Sequence, residues 1–445
     1  MKKRIIVRDV SKIFGSDPQA ALALLKAGEG KEKILAETQA VVGIDQVSFD
    51  VAEGEILVVM GLSGSGKSTM LRCINRLIQP TAGSIVVDGT DVTALSNKSL
   101  LEFRRAKFGM VFQHFALFPN RTIVENVAYG LEIQRMERGK RIDKAMRAIE
   151  VVGLKGWETK YPSQLSGGMQ QRAGLARALA VDADILLMDE AFSALDPLIR
   201  REMQEELRQL QRRLHKTIVF VSHDLDEAIN LGGRIVLMKD GRIVQIGWPE
   251  EILMNPATDY VRRFVEHIDV SSVLTVGRIA DPSAPFVRPQ MTIAEARTAL
   301  AGPAALAGPA VLAGHWAPSC FAIEPAGRPV GRISAEALAA CADPGRPVSD
   351  LMQADVACVP ADCTLKAALP VLMTHRDGIA VVDEDGRFVG TLTSQDVVAA
   401  LAHAPRPEAG IDCPAAPAAP DVNTIPARQK LERQHGLVDP EVSAG

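Results

Sequence analysis

Three short apolar runs punctuate the first half of the chain: EILVVMG (55–61), ADILLMDE (183–190) and TIVFVSHD (217–224). Runs this short, apolar almost throughout and ending at a glycine or an acid, predict buried parallel strands that each feed a loop and a helix. RIIVRDV (4–10) and IDQVSFDV (44–51) set β-branched residues in rough alternation with polar ones and also predict strands. Between them, Pro18 to Thr38 predicts a helical stretch. Ala20, Ala21, Ala23, Leu24 and Ala27 form one apolar patch there, and Ile34 and Leu35 another. Strands alternating with helices over residues 50–240 predict an α/β fold. Residues 135–147 carry six basic and two acidic side chains, the composition of a solvated helix face.

Near residue 270 the pattern changes: Gly, Pro and Ala rise, and two similar units follow. The second reads PVSDLM (347–352), VACVP (356–360), a helix from Leu365 to His375, then GIAVVDEDGRFVGTLTSQDVVAAL (378–401). The first reads as a helix from Met291 to Leu300, then FAIEPAGRPVGRISAEALAAC (321–341). Each ends strand, turn, strand, helix. Residues 404–445, rich in Pro and Ala and poor in aromatics, predict a disordered tail. Thr298 to Ile323 holds no charged residue, so a hydropathy window would mark it as a membrane span. Its Gly302-Pro303 and Gly308-Pro309 pairs and its Ala/Gly-rich make-up weigh against that.

A length of 445 residues exceeds one ordinary core and predicts two or three domains. The net charge of −4 argues against a nucleic-acid binder, which presents a basic face. Cys73, Cys320, Cys341, Cys358, Cys363 and Cys413 are scattered without a CxxC pair, and read as reduced thiols of a cytoplasmic protein. The start, MKKRIIVRDV, lacks the apolar core of a signal peptide. The expectation is a chain soluble by itself, whose membrane role, if any, needs a partner.

Chemistry concentrates in three segments. GLSGSGKS (Gly61 to Ser68) follows a predicted strand and opens a helix. Its glycines let the backbone curl so that successive N–H groups face phosphate oxygens, and the helix N-terminus adds its dipole. Lys67 brings a cation to the β- and γ-phosphates, and the Ser68 hydroxyl can ligate Mg²⁺. ILLMDE ends in two carboxylates: Asp189, placed to hold Mg²⁺ through water, and Glu190, placed to accept a proton from an attacking water. LSGGMQQR (165–172) is a second glycine turn before a helix, without a lysine, able to bind phosphate through Ser166 and backbone N–H groups. One nucleotide does not need two such loops in one domain, but it does if two copies face each other.

GLSGSGKS, Gln113 in VFQ, LSGGMQQ, ILLMDE, SALD (193–196) and SHD (222–224), in this order, resemble the ATP-binding subunits of ABC transporters over about residues 4–265. The resemblance implies a P-loop NTPase: an ABC ATPase core with a β-subdomain and a helical subdomain over 1–270. It implies ATP and Mg²⁺ as cofactors, held by Gly61, Ser63, Gly64, Ser65, Gly66, Lys67, Ser68 and Thr69, with Ser68, Gln113 and Asp189 toward the metal. Catalysis falls to Glu190, His223, Gln113 and Lys67, with His223 on the γ-phosphate and Gln113 sensing Mg²⁺ and water. Ser166, Gly167, Gly168, Met169 and Gln170 act in trans, and Asp196 lies at a dimer seam. Phe14 aligns with an adenine-stacking aromatic, the alternative being a core phenylalanine.

The insert near residues 16–42, the segment MVFQHFALFPNRTIVENVAYGLEIQ (110–134) and the rear units are similar to the ATPase of glycine betaine/proline importers with a tandem α+β CBS module over 278–403, in units 278–342 and 347–403. In GTLTSQD (390–396), Thr393 and Asp396 match the pattern that holds an adenosine ribose, whereas GRISAEA (331–337) has neither residue. The module is therefore expected either to bind an adenine nucleotide or cyclic dinucleotide or to serve as a dimerisation scaffold without ligand. From Arg278 to His403 there are 9 basic and 13 acidic residues, which speaks against binding anionic lipid. The implied assembly is a homodimer beneath two integral membrane permease subunits at the cytoplasmic face of the inner membrane. It would meet a substrate-binding protein only indirectly. Importers of methionine or polyamines, and soluble ABC ATPases of repair or translation, are the rival readings.

Overall fold

The computed structural model describes residues 2–113, 115–301, 319–375 and 377–403. The centre of the membrane-span question (302–318), the predicted tail 404–445 and Cys413 lie outside these residues. Among those described, no helix is long and apolar enough to cross a membrane, and the cysteines are free thiols.

An antiparallel sheet joins β1 (Lys3–Phe14), β2 (Val41–Ala52), β4 (Ala82–Val87) and β5 (Thr90–Asp91) in the order β2-β1-β4-β5. A six-stranded sheet is built from β3 (Ile56–Met60), β6 (Phe108–Phe112), β7 (Ile185–Asp189), β8 (Thr217–Val221), β9 (Arg234–Lys239) and β10 (Arg242–Gly247). Its order is β10-β9-β3-β8-β7-β6, parallel except for the edge strand β10. Every residue of β3, β7 and β8 is buried, because both faces are covered. Ile56, Val58 and Met60 of β3 face one core, with the helices Ile123–Ile133, Arg138–Val151 and Gly167–Ala180. Leu57 and Val59 face a second core, shared with β1, β2 and the helix Lys67–Ile74. The period of two along a strand thus ties the two layers together.

The stretch 18–38 forms two helices rather than one, Pro18–Lys26 and Lys31–Thr38, and its buried face differs from the expected one. Ala21, Leu22 and Leu25 pack with Ile13, Ile34, Ala40 and Val42, while Ala20, Ala23 and Ala27 are exposed and Leu35 is 48% exposed. The larger leucines decide the orientation, since burying them removes far more apolar area than burying alanine. On the basic segment 135–147 the charged side chains are exposed apart from a half-buried Arg141.

The rear module repeats one small plan. β11 (Phe286–Val287), β12 (Ser319–Ile323) and β13 (Pro329–Ser334) form one sheet, and β14 (Cys358–Pro360), β15 (Ile379–Val382) and β16 (Phe388–Leu392) another. In each, the first pair is parallel and the second antiparallel. Phe321 and Ile323 meet Ala380 and Phe388 between the sheets. The two units also exchange short segments of chain. Val348, Leu351 and Met352 pack in the core of the first unit, whereas Leu274, Val276 and Ala280 pack in that of the second. Backbone bonds secure the exchange: Val348 N to Met291 O at 2.8 Å, and Leu365 N to Leu274 O at 2.7 Å. Each core thus combines the unit's own helices with a short segment from elsewhere in the chain. Met254 and Val270 of the preceding region also pack on the second core, and Lys366 bonds to Asp269 at 2.9 Å.

Candidate nucleotide site

The six-stranded sheet delivers its chemistry at the C-terminal ends of β3, β6, β7 and β8, where ligands bind in open α/β sheets. At the end of β3, Gly61 has φ +145°, and a Cβ there would lie 2.1 Å from the Met238 carbonyl oxygen. Gly64 (φ +78°) and Gly66 (φ +97°) complete the curl, and the helix Lys67–Ile74 begins immediately. The N–H groups of Gly64, Gly66, Lys67, Ser68 and Thr69 find no acceptor among the described residues. The buried Ser65 hydroxyl has none either. Lys67 is buried and folds back on the loop, donating to Gly61 O (2.8 Å) and Leu62 O (3.0 Å). Burial pulls its pKa down, while Glu190 and Asp189 push it up. A ring of unmet donors around one buried cation is a cradle for a polyanion.

Opposite stands Asp189, at the end of β7. Its Oδ1 accepts from Ser68 Oγ at 2.7 Å and its Oδ2 from Arg72 at 3.1 Å. Two hard oxygen donors side by side fit Mg²⁺, which takes one or two protein oxygens and completes its shell with phosphate and water. Among the described residues no cluster of three or more His, Cys, Asp or Glu forms a metal cage. Gln113 follows Phe112, the register partner of Asp189. Glu190 has φ +46°, a left-handed conformation held by its N–H to Val221 O (3.1 Å) and by Ser193, whose N and Oγ donate to Glu190 O at 3.2 and 2.9 Å. Such strain in a non-glycine residue collects at functional sites. His223 Nδ1, just past β8, lies 3.5 Å from Glu190 Oε2.

Ser166 caps the helix Gly167–Ala180, accepting from Met169 N at 3.4 Å, and Gln170 Nε2 donates to Leu165 O at 3.1 Å. Ser166 and Gly167 are exposed, and the Gly167 and Gly168 N–H groups have no acceptor among the described residues. A Cβ on Gly168 would stand 2.7 Å from Ile199, on the helix that starts after Asp196. This second set of unmet donors draws on neighbours other than those of the phosphate loop. Phe14 is 41% exposed and so is not a core residue. Its ring rests against Gly43, where a Cβ would approach to 2.8 Å, and Lys12 Nζ lies 4.9 Å from its centroid.

Residues 44–193 match the ABC transporter family, and residues 348–403 match the CBS domain. The chain is 48% identical to the glycine betaine transport ATP-binding protein OpuAA of Bacillus subtilis, over 90% of this chain and 92% of that one. It is 43% identical to the glycine betaine/proline betaine transport ATP-binding protein ProV of Salmonella typhimurium, over 90% and 98%. The chain belongs to the ATP-binding subunits of ABC transporters. A trimethylamine N-oxide transport ATP-binding protein, TmoW of Ruegeria pomeroyi, is 52% identical over 62% of this chain and 81% of that one. Subunits of this family are ATPases that work with membrane permeases.

Within this ATP-binding subunit, two contributors escaped the sequence reading. Arg72 could have been found, since it lies four residues beyond Ser68 and so on the same helix face. The turn Asp240–Gly241 could not, because it reaches the loop only through the fold: Gly241 N donates to Ser65 O at 3.0 Å. In the rear module, Thr393 and Asp396 bond to each other, Thr393 N and Oγ donating to Asp396 Oδ2 at 2.7 and 2.6 Å. They cap the helix Ser394–His403. The matching positions of the first unit are Ser334 and Ala337, and there only the Ser334 oxygen caps, accepting from Ala337 N at 3.1 Å.

Proposed function

We propose that the chain drives an importer of glycine betaine and related quaternary amines, two copies docking under two permease subunits at the cytoplasmic membrane face. Residues 1–270 form the ATPase and 278–403 the regulatory CBS pair. The observation that carries the reading is the pair of unmet donor sets, at Gly64 and Gly66–Thr69 and at Gly167–Gly168, on one chain. Each is half of a phosphate cradle, so ATP is clasped between the first set of one copy and the second set of the other.

In that closed state Lys67 leaves the loop carbonyls for the β- and γ-phosphate oxygens, and the loop N–H groups stabilise charge developing on the transferring phosphoryl group. Ser68 and Asp189, with Gln113 beside them, would hold Mg²⁺, which would neutralise phosphate charge. Glu190 accepts the proton of the attacking water, His223 steadies the γ-phosphate, Phe14 stacks on adenine, and Asp196 sits at the seam between copies. Reconstitution with the permease and binding protein tests the whole. ATP hydrolysis in liposomes should rise when glycine betaine is supplied and not with methionine or spermidine. Stimulation by trimethylamine N-oxide alone would transfer the assignment to that solute.

A further inference from the structure

The helical insert 18–38 is distant in sequence from every ATP-site motif except Phe14, yet one of its side chains reaches the back of the phosphate loop. Lys31, the first residue of the helix Lys31–Thr38, is half-buried and donates through Nζ to Val42 O at 3.0 Å and to Asp240 O. Asp240 O belongs to the same peptide unit as Gly241 N, which donates to Ser65 O at 3.0 Å. Ser65 O in turn shares a peptide unit with Gly66 N, one of the unmet donors of the cradle. An ammonium on a carbonyl oxygen makes the N–H of that peptide a stronger donor, and hydrogen bonds in a chain polarise one another.

We propose that Lys31 is a positioning residue for nucleotide binding: through the Asp240–Gly241 and Ser65–Gly66 peptides it fixes the phosphate loop from behind and strengthens the Gly66 donor. This rests on the ATPase reading above. Several contacts make the path specific. A Cβ on Gly241 would lie 2.9 Å from Lys31 Nζ and 2.7 Å from Gly43 O, and a Cβ on Gly66 would lie 2.6 Å from the same Gly43 oxygen. Only a bare backbone fits between the insert and the loop. Asp45 secures the far side, its N–H donating to Gly241 O at 2.9 Å and its carboxylate pairing with Arg242. Burial lowers the pKa of Lys31 while the nearby Asp45 and Asp240 raise it, as expected for a cation retained against a desolvation cost. The insert thus serves the ATP site from outside it, and Lys33, one turn-fraction along the same helix, serves as an internal control because its ion pairs are with Glu29 and Glu37 of the insert alone.

The test compares full-length wild type, Lys31→Met and Lys33→Met, in complex with the permease, by ATP titration of hydrolysis, by binding of a fluorescent ATP analogue and by thermal melting. Lys31→Met is expected to raise KM and the analogue Kd about tenfold, the loss of one charge-assisted hydrogen bond, with kcat at saturation within about twofold. Lys33→Met is expected to change neither. If Lys31→Met does not fold, Lys31→Gln, which keeps one shorter donor, takes its place with a smaller rise in KM. An unchanged KM, or equal losses in both lysine variants that follow their melting points, would overturn the role. Wild type that binds no ATP analogue would overturn the ATPase reading and this role together, whereas wild type that binds beside an equally competent Lys31→Met overturns the role alone.

Discussion

The phosphate loop and the last helix cap of the rear module are built alike and left in opposite states. Both follow a strand, turn on small polar residues and open a helix. At the loop, five consecutive-region N–H groups and the Ser65 hydroxyl have no acceptor among the described residues, and Lys67 bonds only to the loop's own carbonyls. At the cap, Thr393 and Asp396 satisfy each other in three bonds, including Asp396 N to Thr393 Oγ at 3.3 Å. Buried or preorganised polar groups without partners cost free energy in the empty protein, and a ligand that meets them recovers it. In the empty protein the Thr393–Asp396 motif meets its own hydrogen-bonding capacity, whereas the phosphate loop leaves its donors free.

The strongest way to break that contrast is at the acid beside the cradle. Glu190→Gln keeps the shape and the bonds of the strained backbone, whose partners are main-chain atoms and Ser193, but removes the proton acceptor. Hydrolysis should fall about a thousandfold while ATP affinity is retained. Phosphate release against ATP concentration, with analogue binding in parallel, checks both. Turnover near the wild-type rate would mean that another group activates the water.

Much of the front region was legible because its signals are local. β3, β7 and β8 are apolar runs because both sheet faces are covered, and the acids at the end of β7 fall where the strand must leave the core. What escaped was set by packing at long range. The insert buries Leu22 and Leu25 with Ala21 and leaves Ala20, Ala23 and Ala27 outside, because the two leucines outweigh the smaller side chains. The exchange of segments 274–280 and 348–352 between the rear units has no local signal, since either segment could cover either sheet. Nothing local in the sequence marks Lys31, which the fold alone brings to the Asp240–Gly241 turn.

A substitution in the rear core sharpens the comparison between regions. Ile379 is fully buried in the second unit's core with Leu365, Leu372 and Leu392. Ile379→Ala should cost about 3 kcal/mol, from lost burial and the cavity left behind. If the front region owes its site to its own two cores, binding of the ATP analogue should persist while the rear region melts earlier in a calorimetric scan. Loss of ATP affinity in step with rear melting would show that Met254 and Val270, which pack on that core, fuse the regions into one cooperative unit.

The smallest effect is expected at the cap itself. Asp396→Ala removes the acceptor for Thr393 N and Oγ but leaves the Thr393 oxygen able to cap, the arrangement already present at Ser334 in the first unit. The expected loss is about 1 kcal/mol, within the range of a single helix cap, visible as a modest fall in the rear melting temperature and absent from ATP affinity at the front. Titration with labelled adenine nucleotides and cyclic dinucleotides distinguishes the two readings of the module. If the variant alone loses binding that wild type shows, the carboxylate opens from its partner toward a ribose hydroxyl, exchanging two internal bonds for external ones. The pair would then be a site whose capacity is met in the empty state by itself, and unmet donors would no longer be a necessary mark of binding in this protein.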